Sequence, residues 1–261
     1  MKAFSHILLD IEGTIVLDKK YTPVPGAVEW FNSLAKSGIQ SRLVTNNTTE
    51  SPDDLHTILR DKGFAYDRGD LFTCLSVAGD KMVKQKAKSC FVIGVDNVKN
   101  YLQSRGIEPV DTYESDAVLV GLDPTLTYQK MNTAVKAILE NGAKLYTLHR
   151  NRLYVDENRE TVMSSGPIAA ALENACMVRA VTCGKPDRQF YLSAIAGWNV
   201  PRDRILMVSD DPFADLVGAK KLGMETCWVL TGSQKDRAVV SKFRKEHRPD
   251  YITESVTDIP V

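Results

Sequence analysis

The sequence predicts an α/β protein: a Rossmann-like three-layer core built on a parallel sheet, with a smaller α/β domain inserted into it. Three observations carry this expectation. Short apolar runs closed by glycine or polar turns alternate with helical patterns, which argues for parallel strands joined by right-handed crossovers. The first and last parts of the chain share that pattern and place acids just after their apolar runs. Between them, residues 77–182 show strand–helix alternation of their own, so a core over 1–76 and 183–261 is interrupted by an insertion with its own small sheet.

The first strand is expected in Phe4-Ser-His-Ile-Leu-Leu, which runs into Asp10-Ile-Glu12-Gly13-Thr14. In an open α/β sheet, ligands sit in the crevice beyond the carboxyl ends of the strands. Asp10 stands at that crevice, and Glu12 curls back from the turn. A carboxylate nucleophile needs a second group to protonate the leaving oxygen and later to activate water, and a spacing of two permits that pairing. Val24-Pro25-Gly26 leads into a helix over Ala27 to Lys36, whose apolar face is Trp30, Phe31 and Leu34. A second strand, Ser41 to Thr45, runs into the polar cluster Thr45-Asn46-Asn47. That cluster suits either a self-capping turn or donors for phosphate oxygens. Ser51-Pro52-Asp53-Asp54 opens the next helix with a cap, a proline and acids at its positive end.

In the insertion, strands are expected at Phe91-Val-Ile-Gly, Ala117-Val-Leu-Val-Gly and Lys144 to Leu148. Helices are expected through Val98 to Leu102, over Thr127 to Asn141, and from Ile168 to Glu173. The segment His149-Arg150-Asn151-Arg152 follows the third strand. Its charges are either solvated or available to a second anionic group on a ligand.

In the last third, Gly184-Lys185-Pro186 places a lysine before a proline-started helix, where the ammonium and helix end would act together on an anion. The alternative for Lys185 is a solvated surface charge. Arg204 to Ser209 is a strand ending in Asp210-Asp211, with Asp215 near the start of a helix. Paired acids repel unless a cation or proton separates them. A hard divalent cation with oxygen ligands, Mg²⁺ above all, suits them. Asp215 alone would serve equally as a helix cap. Met224 to Gly232 holds a further strand, the basic stretch Lys242 to Arg248 is expected to be a solvated helix face, and Asp250-Tyr-Ile closes the sheet.

Composition narrows the possible partners. The chain has 261 residues, 43% hydrophobic and 25% charged, which is ordinary for a soluble globular protein with a sizeable core. Lys+Arg and Asp+Glu both number 33, so the overall charge points to neither nucleic acid nor an anionic membrane. No apolar run approaches the roughly 20 residues that cross a bilayer. The N-terminus shows no basic segment followed by a long apolar core, so no signal peptide is expected. The 5 cysteines are odd in number and form no C-x-x-C pair, which favours free thiols in the cytoplasm.

Taken together, Asp10-x-Glu12-Gly-Thr, Thr45-Asn46, Gly184-Lys185-Pro186 and Ser-Asp210-Asp211-x-x-x-Asp215 resemble the four motifs of the haloacid dehalogenase superfamily of phosphatases. The resemblance covers essentially the whole chain. Thr45-Asn46-Asn47 and an α/β insertion after the second motif look like the NagD-type, p-nitrophenylphosphatase-like branch (subclass IIA), whose insertion is a C2 cap.

The resemblance implies a Mg²⁺-dependent phosphatase for small phosphorylated metabolites such as sugar, nucleotide or glycolate phosphates. Asp10 would form an aspartyl-phosphate, and Glu12 would serve the leaving oxygen and then the water. Mg²⁺ would be held by Asp10, the Glu12 carbonyl and Asp210, supported by Asp211 and Asp215. Thr45, Asn46, Asn47 and Lys185 would hold the phosphoryl oxygens, and Lys185 would also keep Asp10 ionised. The cap would close over the substrate, with His149, Arg150 and Arg152 selecting it, and could pair two copies as a homodimer. One departure stands out: the superfamily's phosphatases usually carry Asp where this chain has Glu12. The extra methylene moves the carboxyl group by about 1.5 Å, and a misplacement near 1 Å can cost on the order of a hundredfold in rate. Enolase-phosphatase members also read Asp-Ile-Glu-Gly-Thr, so Glu can serve. The alternative is a catalytically weakened protein of this fold that binds phosphorylated ligands.

Overall fold

The computed structural model describes residues 1–155, 160–232 and 234–261. Its contacts divide the chain into two compact units. One comprises Met1–Thr45, Asp53–Phe72 and Lys185–Val261, the other Asn46–Pro52 and Thr73–Gly184.

The first unit opens with β1 (His6–Leu9), α1 (Ala27–Lys36), β2 (Gln40–Thr45), α2 (Pro52–Asp61) and β3 (Leu71–Thr73). Helix α1 buries Ala27, Trp30, Phe31 and Leu34, the i, i+3, i+4, i+7 stripe of an amphipathic helix. Phe31 packs edge-on against Phe64 and Tyr66, with ring centroids 5.6 and 6.2 Å away.

The second unit holds α3 (Cys74–Lys84), β4 (Ser89–Ile93), α4 (Asp96–Ser104), β5 (Glu108–Val110), β6 (Ala117–Val120), α5 (Tyr128–Leu139), β7 (Lys144–Thr147), β8 (Leu153–Val155), β9 (Thr161–Met163), α6 (Ser165–Cys176) and β10 (Val181–Thr182). Its 5-stranded sheet runs β10-β7-β6-β4-β5, with every pairing parallel. Phe91, Ile93, Val118, Val120 and Leu145 of that sheet share a core with Ala134, Ala137 and Ile138 of α5 and with Ile168, Ala169 and Leu172 of α6.

The first unit resumes with α7 (Arg188–Ala194), β11 (Ile205–Ser209), α8 (Val217–Lys220), β12 (Glu225–Val229) and β13 (Tyr251–Thr253). Its 6-stranded sheet runs β13-β12-β11-β1-β2-β3. Ile7 and Leu9 of β1, Leu206 and Val208 of β11 and Cys227 and Val229 of β12 share the core that contains α1. Alternate residues point to the opposite face of a strand, and there Leu8, Met207 and Trp228 are equally inaccessible to solvent. Both faces are therefore covered, as parallel sheets require. Strand β1 has the earlier β2 on one side and the later β11 on the other. The connection direction reverses between β1 and β11, which makes their carboxyl ends the crevice of the sheet.

Several expectations need correction. No helix starts at Pro186. Asp187 accepts the Gln189 N–H and caps α7, so a carboxylate stands at the helix end that was expected to act with Lys185 on an anion. The basic stretch Lys242 to Arg248 is not a helix face, because its helical turns are short 3₁₀ pieces, Arg237–Lys242 and Lys245–His247. The helix expected from Ile168 to Glu173 is longer at both ends, and the short strands β3, β5, β8 and β9 had no expected counterpart.

Replacing Phe31 by Ala removes the ring that bridges α1 to Phe64 and Tyr66. The expected loss is about 3–5 kcal/mol in a urea titration.

Candidate active site

Asp10 sits one residue beyond β1, and its N–H still follows the strand ladder, donating to the Val208 carbonyl at 3.0 Å. Asp210 is likewise one residue beyond its strand, β11. Thr14 joins the two: its hydroxyl donates to Asp10 Oδ2 at 3.4 Å and accepts the Asp210 N–H at 3.0 Å. The turn that returns Thr14 to this position passes through Gly13 at φ +76°, a left-handed conformation that costs glycine little. Gly13 N–H donates to the Val16 carbonyl at 2.7 Å. Because a trans peptide sets C=O opposite N–H, the Glu12 carbonyl points away from Val16.

Lys185 is 1% exposed, and its Nζ donates to Asp10 Oδ1 at 2.5 Å, Asp215 Oδ2 at 2.6 Å and the Val44 carbonyl at 3.2 Å. Burial works against its charge, but Asp10 and Asp215 outweigh burial and hold the ammonium above its ordinary pKa. Asp10 stays well above the ordinary carboxylate range: burial pushes the carboxyl up, Lys185 pulls it down only in part, and Asp215, Asp210 and Glu12 push it up again. Lys185 is therefore no surface charge.

Asp215 is positioned by two further contacts. Ser209 Oγ donates to its Oδ2 at 2.7 Å, and the Tyr191 hydroxyl donates to its backbone carbonyl at 2.7 Å. The capping role considered for Asp215 belongs to Asp211, whose Oδ1 accepts the N–H groups of Phe213 and Ala214 at 2.8 and 2.9 Å. Burial raises the Asp211 carboxyl pKa and Asp215 adds to the rise, while those two N–H groups oppose it. Thr45 Oγ1 donates to Glu12 Oε2 at 2.8 Å.

This unit thus brings Asp10, Glu12, Thr45, Lys185, Asp210, Asp211 and Asp215 to one crevice. Five of these groups are acids, and the single buried lysine already serves two of them. Hard oxygen donors in such excess are the set a divalent cation prefers. Among the described residues, no group of three or more His, Cys, Asp or Glu side chains is arranged to hold a metal. A site using two carboxylates and a backbone carbonyl needs no such group.

The remaining expected site residues lie in the second unit. Asn47 Oδ1 accepts from Thr49 N, Thr49 Oγ1 and Glu50 N at 3.0, 3.3 and 2.8 Å, which is the self-capping turn considered for this cluster. Asn46 opens the same segment. His149 is buried, and its Nδ1 lies 3.2 Å from both Ser165 Oγ and Asn151 N. Arg150 makes a bidentate pair with Glu173, with NH1–Oε2 at 3.1 Å and NH2–Oε1 at 2.7 Å, and also donates to Thr182 Oγ1 and the Ala180 carbonyl. Arg152 is exposed. Sequence reasoning missed Thr14, Ser209 and Tyr191. The first two flank the motif acids, whereas nothing in the pattern marks Tyr191.

The family model described as haloacid dehalogenase-like hydrolase matches residues 7–108, and one described as HAD-hydrolase-like matches 182–259. Human haloacid dehalogenase-like hydrolase domain-containing protein 2 is 30% identical over 253 residues, covering 97% of this chain and 92% of its own length. Bovine phospholysine phosphohistidine inorganic pyrophosphate phosphatase is 29% identical, covering 97% and 90%. The p-nitrophenyl phosphatase from Archaeoglobus fulgidus superposes with a TM-score of 0.87 at 25% identity, covering 98% of both chains. The chain belongs to the haloacid dehalogenase-like hydrolases, and within them to the NagD-like phosphatases.

Arg150 holds the Glu173 carboxyl below its ordinary value of 4.5, against burial and with help from the Ala180 N–H. A depressed carboxylate stabilises the fold above its unfolded pKa, and that contribution is lost as pH falls through the folded value. The wild type should therefore melt higher than Glu173→Gln at neutral pH, with the gap closing as the pH drops below 4.5. Paired thermal melts across that range check this.

Proposed function

We propose that this protein is a Mg²⁺-dependent phosphatase of small phosphorylated metabolites, working through an aspartyl-phosphate on Asp10. The observation that carries the reading is the buried Asp10–Lys185–Asp215 arrangement at the carboxyl end of the central strand. We take the unit containing that strand as the catalytic core, and the insertion over residues 77–182 as the cap.

Lys185 fixes one oxygen of Asp10 and, together with the cation when it is bound, would hold the carboxylate ionised against its burial, leaving Asp10 to attack phosphorus in line with the leaving group. As the P–O bond breaks, Glu12 gives its proton to the leaving oxygen. Glu12 then takes a proton from the water that hydrolyses the acyl phosphate. The hydrogen bond from Thr45 to Glu12 Oε2 keeps the longer side chain in one place. This supports catalysis by Glu in a position usually held by Asp. Asn46 and Asn47 would hold the phosphoryl oxygens, joined by Lys185 as it gives up the Val44 carbonyl and by Thr45 as it turns from Glu12; for Asn47 the donor is Nδ2, because its oxygen serves the turn. Asp10, the Glu12 carbonyl and Asp210 would hold the Mg²⁺, with Asp211 and Asp215 in support. The cation, when bound, neutralises the charge of nucleophile and phosphate together.

His149 and Arg150 are occupied in organising the second unit, so a second anionic group on the substrate is assigned to Arg152. The five cysteines are all buried and none is in a disulfide, which supports a reducing, cytoplasmic setting.

The wild type should release phosphate from p-nitrophenyl phosphate with Mg²⁺ and stop with EDTA, and Asp10→Asn should fall to background. Glu12→Gln should lose about 10²–10⁴-fold in kcat, the usual worth of a general acid–base group. A silent wild type with an active Glu12→Asp would favour the ligand-binding alternative.

A further inference from the structure

The end of β12 holds a group of residues with no role in the reading above, and all of them touch Asp210 or the turn beside it. An ideal Cβ placed on Gly232 would lie 1.7 Å from Asp210 Oδ2, and one on Gly13 would lie 2.4 Å from the same atom. Real Cβ atoms never approach an oxygen so closely, so the Asp210 carboxylate occupies a slot walled by two glycines. The slot is tied across its mouth, because Thr231 Oγ1 donates to the Gly13 carbonyl at 2.6 Å. Behind it, the Trp228 indole N–H donates to the Asp210 carbonyl at 3.0 Å, and Trp228 itself is fully buried. Asp210 is thereby fixed at its N–H by Thr14, at its carbonyl by Trp228 and at its carboxylate by the two glycines.

We propose that Trp228, Thr231 and Gly232 form a positioning shelf that sets the affinity of the cation site, with the Thr231–Gly13 hydrogen bond as its latch. The latch works on two expected ligands together. It pins the peptide next to the Glu12 carbonyl, and it holds the Gly13 wall against the Asp210 carboxylate. None of the three residues is itself a ligand. Outer-shell partners of this kind typically cost about 10–100-fold in metal affinity when removed. Trp228 offers no usable sequence signal, since its indole reads as one more buried apolar residue of a strand. Thr231-Gly232 reads as an ordinary turn.

The inference rests on the Mg²⁺-phosphatase reading, and the test separates the two. Mg²⁺ binding is measured by calorimetry, without substrate, for wild type, Thr231→Val, Thr231→Ser and Asp210→Asn. Thr231→Val keeps the volume of the side chain and deletes the donor, and its fold is checked by circular dichroism. The expected result is a Mg²⁺ dissociation constant raised about tenfold or more in Thr231→Val and restored by Thr231→Ser. In turnover, the metal requirement should shift by the same factor, while KM for p-nitrophenyl phosphate at saturating Mg²⁺ stays near the wild-type value. A folded Thr231→Val that binds Mg²⁺ as tightly as wild type overturns the shelf but leaves the phosphatase reading standing. A wild type whose Mg²⁺ binding is absent, or unaffected by Asp210→Asn, overturns both.

Discussion

The buried ammonium of Lys185, shared between Asp10 and Asp215, is the interaction on which the rest of the site depends. Two carboxylates brought this close in a dry crevice would repel each other, and one would take up a proton. A charge buried between them removes that conflict, provided each remaining donor and acceptor is also satisfied. The chain meets that condition with neutral groups. The Val44 carbonyl takes a further Lys185 proton, and the hydroxyls of Ser209 and Thr14 reach Asp215 and Asp10. Because Lys185 reaches in at the carboxyl end of the sheet, Asp10 is fixed where the strand order reverses between β1 and β11.

The same arrangement separates the roles of otherwise similar acids. Asp211 spends its carboxylate on backbone N–H groups and so turns the chain after β11. That turn returns Asp215 to Lys185. Asp210 points instead into its glycine slot, beside the turn that follows β1. Three aspartates within six residues therefore act as a cap, a counter-charge and an expected metal ligand. Their backbone directions, more than their chemistry, assign these roles. In the second unit, Arg150 has been drawn into a structural ion pair by Glu173, while Arg152 two residues on is exposed.

Much of this was legible in the sequence, for identifiable reasons. Helix α1 carries the bulky part of its core stripe in Trp30, Phe31 and Leu34, so its place follows from periodicity and the Val24-Pro25-Gly26 turn before it. Strands β1 and β11 are unbroken apolar runs that end in acids, and the motif residues inherit their positions from those ends. The failures have equally local causes. Pro186 suggested a helix start, but the Asp187 carboxylate captures the Gln189 N–H and moves the start beyond it. The charges of Lys242 to Arg248 suggested a helix face, yet the chain there makes only short turns before joining the sheet edge at β13. Arg150 read as a recognition residue because its partner Glu173 lies on a helix distant in sequence. Tyr191 and Trp228 could not be distinguished from core residues, since only the position of one polar atom gives each its function.

The central claim is that Asp10, held by Lys185, becomes covalently phosphorylated during turnover. The most direct measurement is an acid quench in the steady state with a phosphorylated substrate, followed by borohydride reduction and peptide mass spectrometry. An acyl phosphate on Asp10 is reduced to homoserine at position 10, and that conversion should appear in the wild type and require both substrate and Mg²⁺. Steady turnover with an unmodified Asp10 peptide would mean that water attacks phosphorus directly, and would contradict the account.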